Sequence, residues 1–204
     1  MMKTKLMLLL SFLAFFAGRP IEEKGYAVGD TVKDFKLKSV SGEMISLDDY
    51  KDEKGIILVF DCNTCPVSKA YNERIKELHA KFADKGFPVL AVNSNDPGRQ
   101  PGDSFDEMVK YAEEKGYQHT YVQDLKQDVA KSFGATNTPH VFVLKRTGSD
   151  FKVAYIGAID NNSRDASAVT KTYVEDAVNA LLKGDTPTPD KTKAIGCTIK
   201  WKEA

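Results

Sequence analysis

From Tyr26 to Tyr50 apolar and polar residues alternate around Ser41-Gly42, leaving Phe35, Leu37, Val40, Ile45 and Leu47 for one face. That period of two predicts a β-hairpin packed on the N-terminal edge of the fold. The unbroken apolar run Ile56–Phe60 predicts a buried central strand. Val67, Ala70, Tyr71, Ile75, Leu78 and Phe82 then recur at helical spacing, so a helix is expected to run to about Asp84 and stop at Lys85-Gly86. Val89–Val92 predicts the next strand and completes a right-handed, parallel β-α-β unit. Ser104 opens a second helix with Phe105, Met108, Val109 and Ala112 inward, and Lys115-Gly116 closes it. A short strand at Thr120–Val122 and a short helix ending at Gly134 follow. Val141–Leu144 and Lys152–Ile156 read as an antiparallel pair around Gly148. Val169–Leu182 is the last amphipathic helix, with Tyr173, Ala177, Val178 and Leu181 inward. Residues 184–193 are a proline- and threonine-rich tether, and the apolar Ala194, Ile195, Ile199 and Trp201 beyond it predict a tail that docks on the body.

A chain of 204 residues with no break in composition fits one domain with a substantial core. Lysine plus arginine and aspartate plus glutamate stand at 29 each, so no basic surplus points to nucleic acid and partners must be sought at a site. Met1–Lys5 is short and basic, Leu6–Ala17 is apolar and Arg19 onward is polar, the layout of a secretory signal peptide too short to span a membrane comfortably. The expected organisation is therefore a signal peptide at 1–18, one domain at 19–184 and a docking tail at 185–204. A periplasmic or secreted protein with no stable membrane insertion after signal removal follows from it.

Chemistry is concentrated in Phe60-Asp61-Cys62-Asn63-Thr64-Cys65-Pro66, where the central strand gives way to a helix. Unsatisfied N–H groups at a helix start favour thiolate over thiol, so Cys62 is expected to attack, with Cys65 one turn inside the helix as the resolving thiol. Asp61 opposes that effect if its charge lies beside Cys62; a solvated carboxylate is the plainer reading of it, and a proton shuttle the sharper one. Half a zinc site is a weaker account, because Cys197 and the scattered His79, His119 and His140 supply no second ligand pair. No metal and no cofactor is expected. The turn-rich Asn93–Asp103 follows a strand's C-terminal end, so it reads either as flanking the site or as a solvated loop.

The order strand, Cys-x-x-Cys helix, strand, helix, then Thr138-Pro139 before an antiparallel pair and a last helix resembles the thioredoxin fold: α/β, a central mixed sheet flanked by helices. In that family a cis proline, matched by Pro139, stands across from the cysteines, and the residue before it, here Thr138, offers its backbone to the substrate. The hairpin, Cys-Asn-Thr-Cys-Pro, Asn-Ser-Asn-Asp-Pro, Thr-Pro-His and Gly-Cys-Thr-Ile-Lys-Trp together resemble a redoxin group within the alkyl hydroperoxide reductase/thiol-specific antioxidant superfamily. The resemblance covers nearly all of the chain after about Tyr26.

It implies a thiol-disulfide oxidoreductase using Cys62 and Cys65 on exported proteins or small thiols, served by a redox partner protein. Thiol-dependent peroxidase chemistry is the alternative within the superfamily. Laid on the peroxiredoxin motif, however, Cys65 takes the peroxidatic position, Cys62 replaces the threonine and Leu58 the proline, and the arginine falls near Pro139. A Cu(I)-binding metallochaperone is a further alternative, through Cys62, Cys65, Pro66 and His140, although the cysteine spacing is one residue short and a core-packed or solvent-facing His140 is the plainer reading. Cys197 is read as a buried small residue or as a third redox thiol brought to the pair by the tail.

Overall fold

The computed structural model describes residues 25–203; the expected signal peptide lies outside them. The strands are β1 (Thr31–Val32), β2 (Lys36–Ser39), β3 (Met44–Ser46), β4 (Gly55–Phe60), β5 (Val89–Asn93), β6 (Thr120–Gln123), β7 (Asn137–Thr138), β8 (His140–Thr147), β9 (Asp150–Gly157) and β10 (Cys197–Thr198). The helices are α1 (Pro66–Phe82), α2 (Phe105–Lys115), α3 (Asp128–Phe133) and α4 (Tyr173–Lys183).

An eight-stranded mixed sheet in the order β1-β9-β8-β4-β5-β6-β2-β3 forms the centre, and β10 and β7 make a separate two-stranded sheet. Strands β4, β5 and β6 run parallel, while β8 lies antiparallel to β4 and β9 antiparallel to β8. Every residue of β4 is buried because both faces of the sheet are covered, which is why its sequence is apolar without alternation. Leu58 and Phe60 enter one core layer with Val92, Phe133 and Phe142. Ile57 and Val59 enter the other with Ile75, Phe82 and Val178 from α1 and α4. This is the thioredoxin-like architecture, with an N-terminal hairpin. Among the described residues no helix is long and apolar enough to cross a membrane.

Three expectations change. The alternating stretch 26–50 does not stay on one edge: β1 pairs with β9, while the β2–β3 hairpin attaches to β6 at the far side of the sheet. A period of two specifies which face is buried and leaves the choice of edge to the strands available there. The last helix begins at Tyr173 and not Val169, because the Asn161 side-chain oxygen accepts from the backbone N–H groups of Thr170 and Lys171, both at 3.0 Å, and holds that stretch off the helix. The tether is also bound to the sheet: Ile156 N donates to Asp190 O and Thr192 N to Ile156 O, while Ala158 N donates to Thr192 Oγ1 at 3.0 Å.

Leu58, fully buried at the centre of β4, tests the account of the core. Leu58→Ala should cost about 2–5 kcal/mol, the usual range for emptying a buried aliphatic site, read as a lower urea midpoint at unchanged slope.

Candidate active site

Beyond the end of β4 the chain keeps its ladder for one more residue, with Asp61 N donating to Val92 O at 3.0 Å. Asp61 and Cys62 are therefore carried out of the sheet as buried residues, each 2 % exposed. The next turn is tied down by Asp103, fully buried at the base of α2. Its carboxylate accepts from Asn63 N at 2.7 Å and from Thr64 Oγ1 at 2.7 Å. The Asn93 and Asn95 side-chain amides donate to it as well, at 3.1 and 2.8 Å. Asn63 in turn accepts from Tyr121 OH at 2.9 Å and donates to Gly102 O at 2.9 Å. The turn-rich segment 93–103 is thus a scaffold beneath the cysteine loop.

Helix α1 starts at Pro66, suited to the first helical position because it has no N–H to leave unpaired, and Cys65 is its N-cap. Cys65 is accordingly not one turn inside the helix, and Cys62 lies ahead of it. Across from both, the Thr138-Pro139 peptide bond is cis. The Cys62 sulfur is 3.2 Å from Thr138 Oγ1 and 3.9 Å from Ser68 Oγ. Cys65 Sγ lies 3.2 Å from the Thr138 carbonyl oxygen.

The sulfurs are not paired as the motif spacing suggests. Cys65 is joined to Cys197, at a Cα–Cα distance of 5.9 Å, and Cys62 is a free buried thiol. The cause is the pairing of β10 with β7, which sets Cys197 directly opposite Thr138 and brings its Cα within the span a disulfide needs. Cys197 is part-exposed and covalently engaged, so the reading of it as a buried bystander does not hold. In this bridged state Cys65 has no proton to donate, and its approach to Thr138 O is a packing contact that becomes a hydrogen bond once the thiol is free.

The electrostatics also differ from the helix-dipole expectation. Burial pushes the Cys62 thiol above its ordinary range, and the Asp61 and Asp103 charges push it further; the Thr138 hydroxyl and the Cys65 backbone N–H oppose them. Asp61 is not solvated. Burial raises its carboxyl to about 6, against opposing contributions from Ser68 and the Cys62 backbone, and its Oδ1 is buried without a partner. Asn72 donates to Tyr111 OH at 2.7 Å and accepts from Tyr117 OH, continuing the polar layer around these acids.

His140 stands apart from the sulfurs. It is buried, its Nδ1 accepts from Thr136 N at 3.4 Å and its ring lies 4.8 Å from Phe142. Burial, and then the Lys191 charge, lower its pKa to about 4. Among the described residues no group of three or more histidine, cysteine or acidic side chains is arranged to hold a metal ion. An open cavity of about 540 Å³ adjoins the cysteine loop at Asn63, Thr64, Asn72, Gly102 and Tyr111, with Lys69 at its rim. Asp103, and Gln127, whose side-chain amide donates to Lys200 O and accepts from Lys202 N in the tail, are participants that the motifs do not flag; the crowding of asparagine and aspartate after β5 is the available signal for Asp103.

Residues 28–153 match the family model described as the AhpC/TSA family. A solved structure of an uncharacterized conserved protein from Geobacillus kaustophilus is 35% identical, with a TM-score of 0.80 over 92% of this chain and 99% of that one. Thiol-disulfide oxidoreductase ResA of Halalkalibacterium halodurans is 24% identical over 139 residues, 68% of this chain and 72% of the relative. Putative glutathione peroxidase 7, chloroplastic, of Arabidopsis thaliana is 29% identical over 86 residues, 42% of this chain and 36% of the relative.

In a Cys65→Ser/Cys197→Ser chain Cys62 is the single thiol, so its alkylation rate against pH reports its titration directly. The apparent pKa should lie above the ordinary ~8.5 of a cysteine and fall in Asp61→Asn, which removes a like charge. An unchanged profile in that variant would contradict the assigned cause. Asp61 carries a second expectation. Its folded pKa of about 6 exceeds the unfolded ~3.9, so the folded state holds the proton more tightly. Stability is then present below pH ~4 and lost as pH rises through ~6, by roughly 3 kcal/mol at ~1.4 kcal/mol per pKa unit. Urea unfolding of Asp61→Asn should show that pH dependence flattened.

Proposed function

The chain belongs to the AhpC/TSA family, whose model spans residues 28–153, and from that premise we propose that it is a thiol-disulfide oxidoreductase in which Cys62, Cys65 and Cys197 exchange one disulfide. The observation that carries this reading is the convergence of all three cysteines on Thr138, which meets Cys62 with its hydroxyl, Cys65 with its carbonyl and Cys197 through strand pairing. Cys65 is the shared sulfur. The Cys62 thiolate attacks Cys65 Sγ, the Cys62–Cys65 bond forms, the Cys65–Cys197 bond breaks, and Cys197 leaves as a thiolate. No outside oxidant or reductant is needed for that step, because a disulfide is consumed as one is made. Asp61, ionised above pH ~6 and buried next to Cys62 in the chain with one oxygen unpaired, takes the proton that Cys62 must lose. Thr138 and Pro139 fix the wall against which the sulfurs meet, and Pro66 fixes the start of α1.

The Cys62–Cys65 disulfide then exchanges with protein or small-molecule thiols, and a redox partner protein restores the starting state. Small thiols can approach through the cavity beside Asn63 and Tyr111. The basic and apolar layout of residues 1–18 supports an exported, periplasmic or secreted protein: a signal peptide at 1–18, the redoxin domain at 19–184 and the tail at 185–204. A thiol-dependent peroxidase is the second reading, favoured by the glutathione peroxidase likeness and tested by hydrogen peroxide consumption coupled to a thiol.

Insulin-disulfide reduction by dithiothreitol tests the principal reading. Wild-type protein should accelerate it; Cys65→Ser, which removes the sulfur common to both bridges, and Cys62→Ser, which removes the attacking thiol, should return it to the uncatalysed rate. Cys197→Ser should keep activity through Cys62 and Cys65. Inert wild-type protein would count against the proposal.

A further inference from the structure

The segment 194–203 lies in a groove, and most of what holds it there is main chain. Cys197 and Thr198 pair antiparallel with Thr138 and Asn137, and Ile199 N donates to Thr136 O at 3.0 Å. On the opposite side Lys200 N donates to Asn95 Oδ1 at 2.8 Å, and Lys200 O accepts from Asp96 N at 2.8 Å. Asn137 Nδ2 adds a bond to Gly196 O at 3.0 Å. The buried Gln127 amide completes the clamp, donating to Lys200 O at 2.9 Å and accepting from Lys202 N at 2.8 Å. Gln127 is the one described non-glycine residue at positive φ, 64°. Such backbone is held only where the surroundings over-determine it, and ligand clamps are a common place for it.

Contacts of this kind read an extended chain with little regard to side chains, as in recognition by strand addition. Side chains are read at three positions. At Gly196 an added Cβ would stand 2.1 Å from Thr138 O, so only glycine fits. Cys197 reaches Cys65, and Ile199, 3 % exposed, enters the core. Among the described residues strand β10 is also the sole partner of β7. Without it, β7 presents unpaired N–H and C=O groups, a template for another extended chain.

We propose that this groove is a receptor for cysteine-bearing extended polypeptides with glycine immediately before the cysteine and an apolar residue two positions after it, the segment 194–203 being its resident occupant. The inference rests on the thiol-disulfide reading above, since the cysteine of the bound chain is placed to exchange with Cys65. Once a dithiol of the redox partner has reduced the Cys65–Cys197 bridge, itself becoming a disulfide, and an outside peptide disulfide has replaced the resident segment, the Cys65 thiolate attacks the peptide's cysteine sulfur. The Cys65–peptide bond forms, the peptide's original disulfide breaks, and its former partner leaves as a thiolate.

The test uses the full-length Cys62→Ser/Cys197→Ser chain, in which Cys65 is the single thiol, and synthetic peptides of residues 194–201 carried as mixed disulfides with thionitrobenzoate. Release of thionitrobenzoate should be at least ~10-fold faster for the native peptide than for one with valine in place of the glycine, the factor that ~1.4 kcal/mol represents. Adding Gly196→Val to the protein should speed the native peptide by loosening the resident segment. As a check independent of that variant's folding, the reduced Cys62→Ser/Cys197→Ser chain offered both peptides in equal amounts should carry the glycine peptide on Cys65, read by mass spectrometry. Equal reaction of the two peptides in both formats would overturn the receptor. Failure with peptides but reaction with the symmetrical thionitrobenzoate disulfide would also overturn the receptor and leave the exchange chemistry standing, whereas a Cys65 inert to every disulfide would overturn the thiol-exchange reading itself.

Discussion

Thr138 is the residue through which the parts of the site meet. It is 1 % exposed, it precedes a cis proline, and a short strand pairing fixes its backbone. Its hydroxyl lies 3.2 Å from one sulfur and its carbonyl 3.2 Å from another. Because a sulfur, unlike a charged group, can be buried at modest cost, the fold can hold Cys62 and Cys65 in a dry corner with the part-exposed Cys197 at its edge.

A dry corner has an electrostatic consequence. Asp61 and Asp103 are both buried beside the cysteine loop, but they serve different ends. Asp103 is surrounded by donors from Asn63, Thr64, Asn93 and Asn95, so its charge is compensated and the loop geometry is fixed by it. Asp61 has an oxygen without a partner, and its charge is expensive to keep. Both disfavour the Cys62 thiolate. Cys62 therefore differs from a thiolate poised at a helix start: the proposed exchange needs a proton acceptor for it, the role proposed for the half-satisfied Asp61 carboxylate.

Much of the fold was legible in the sequence because each element carried a distinct period. The unbroken Ile56–Phe60 run, the helical recurrence from Val67 to Phe82 and the glycine stops at Gly86, Gly116 and Gly134 all correspond to observed elements. The Cys-x-x-Cys spacing picked out the loop that faces Thr138 but not the partner of Cys65, because a spacing describes neighbours in the chain, whereas Cys197 arrives from 132 residues away through a strand pairing only two residues long. The burial of Asp61 and Asp103 was hidden for a related reason: an aspartate at a loop is ordinarily solvated, and only the third dimension reveals it as enclosed. Gln127 carried no signal, since glutamine is not a residue that sequence patterns associate with positive φ.

The tail cysteine is the partner of Cys65 while Cys62 is free, the arrangement on which the proposed exchange through Cys65 depends. Protein purified under non-reducing conditions, alkylated before unfolding and digested, would reveal the linkage by peptide mass mapping. A Cys65–Cys197 cross-linked peptide pair together with free Cys62 is expected, converting to a Cys62–Cys65 linkage as pH is raised. A Cys62–Cys65 disulfide with unmodified Cys197 at every pH would contradict that arrangement.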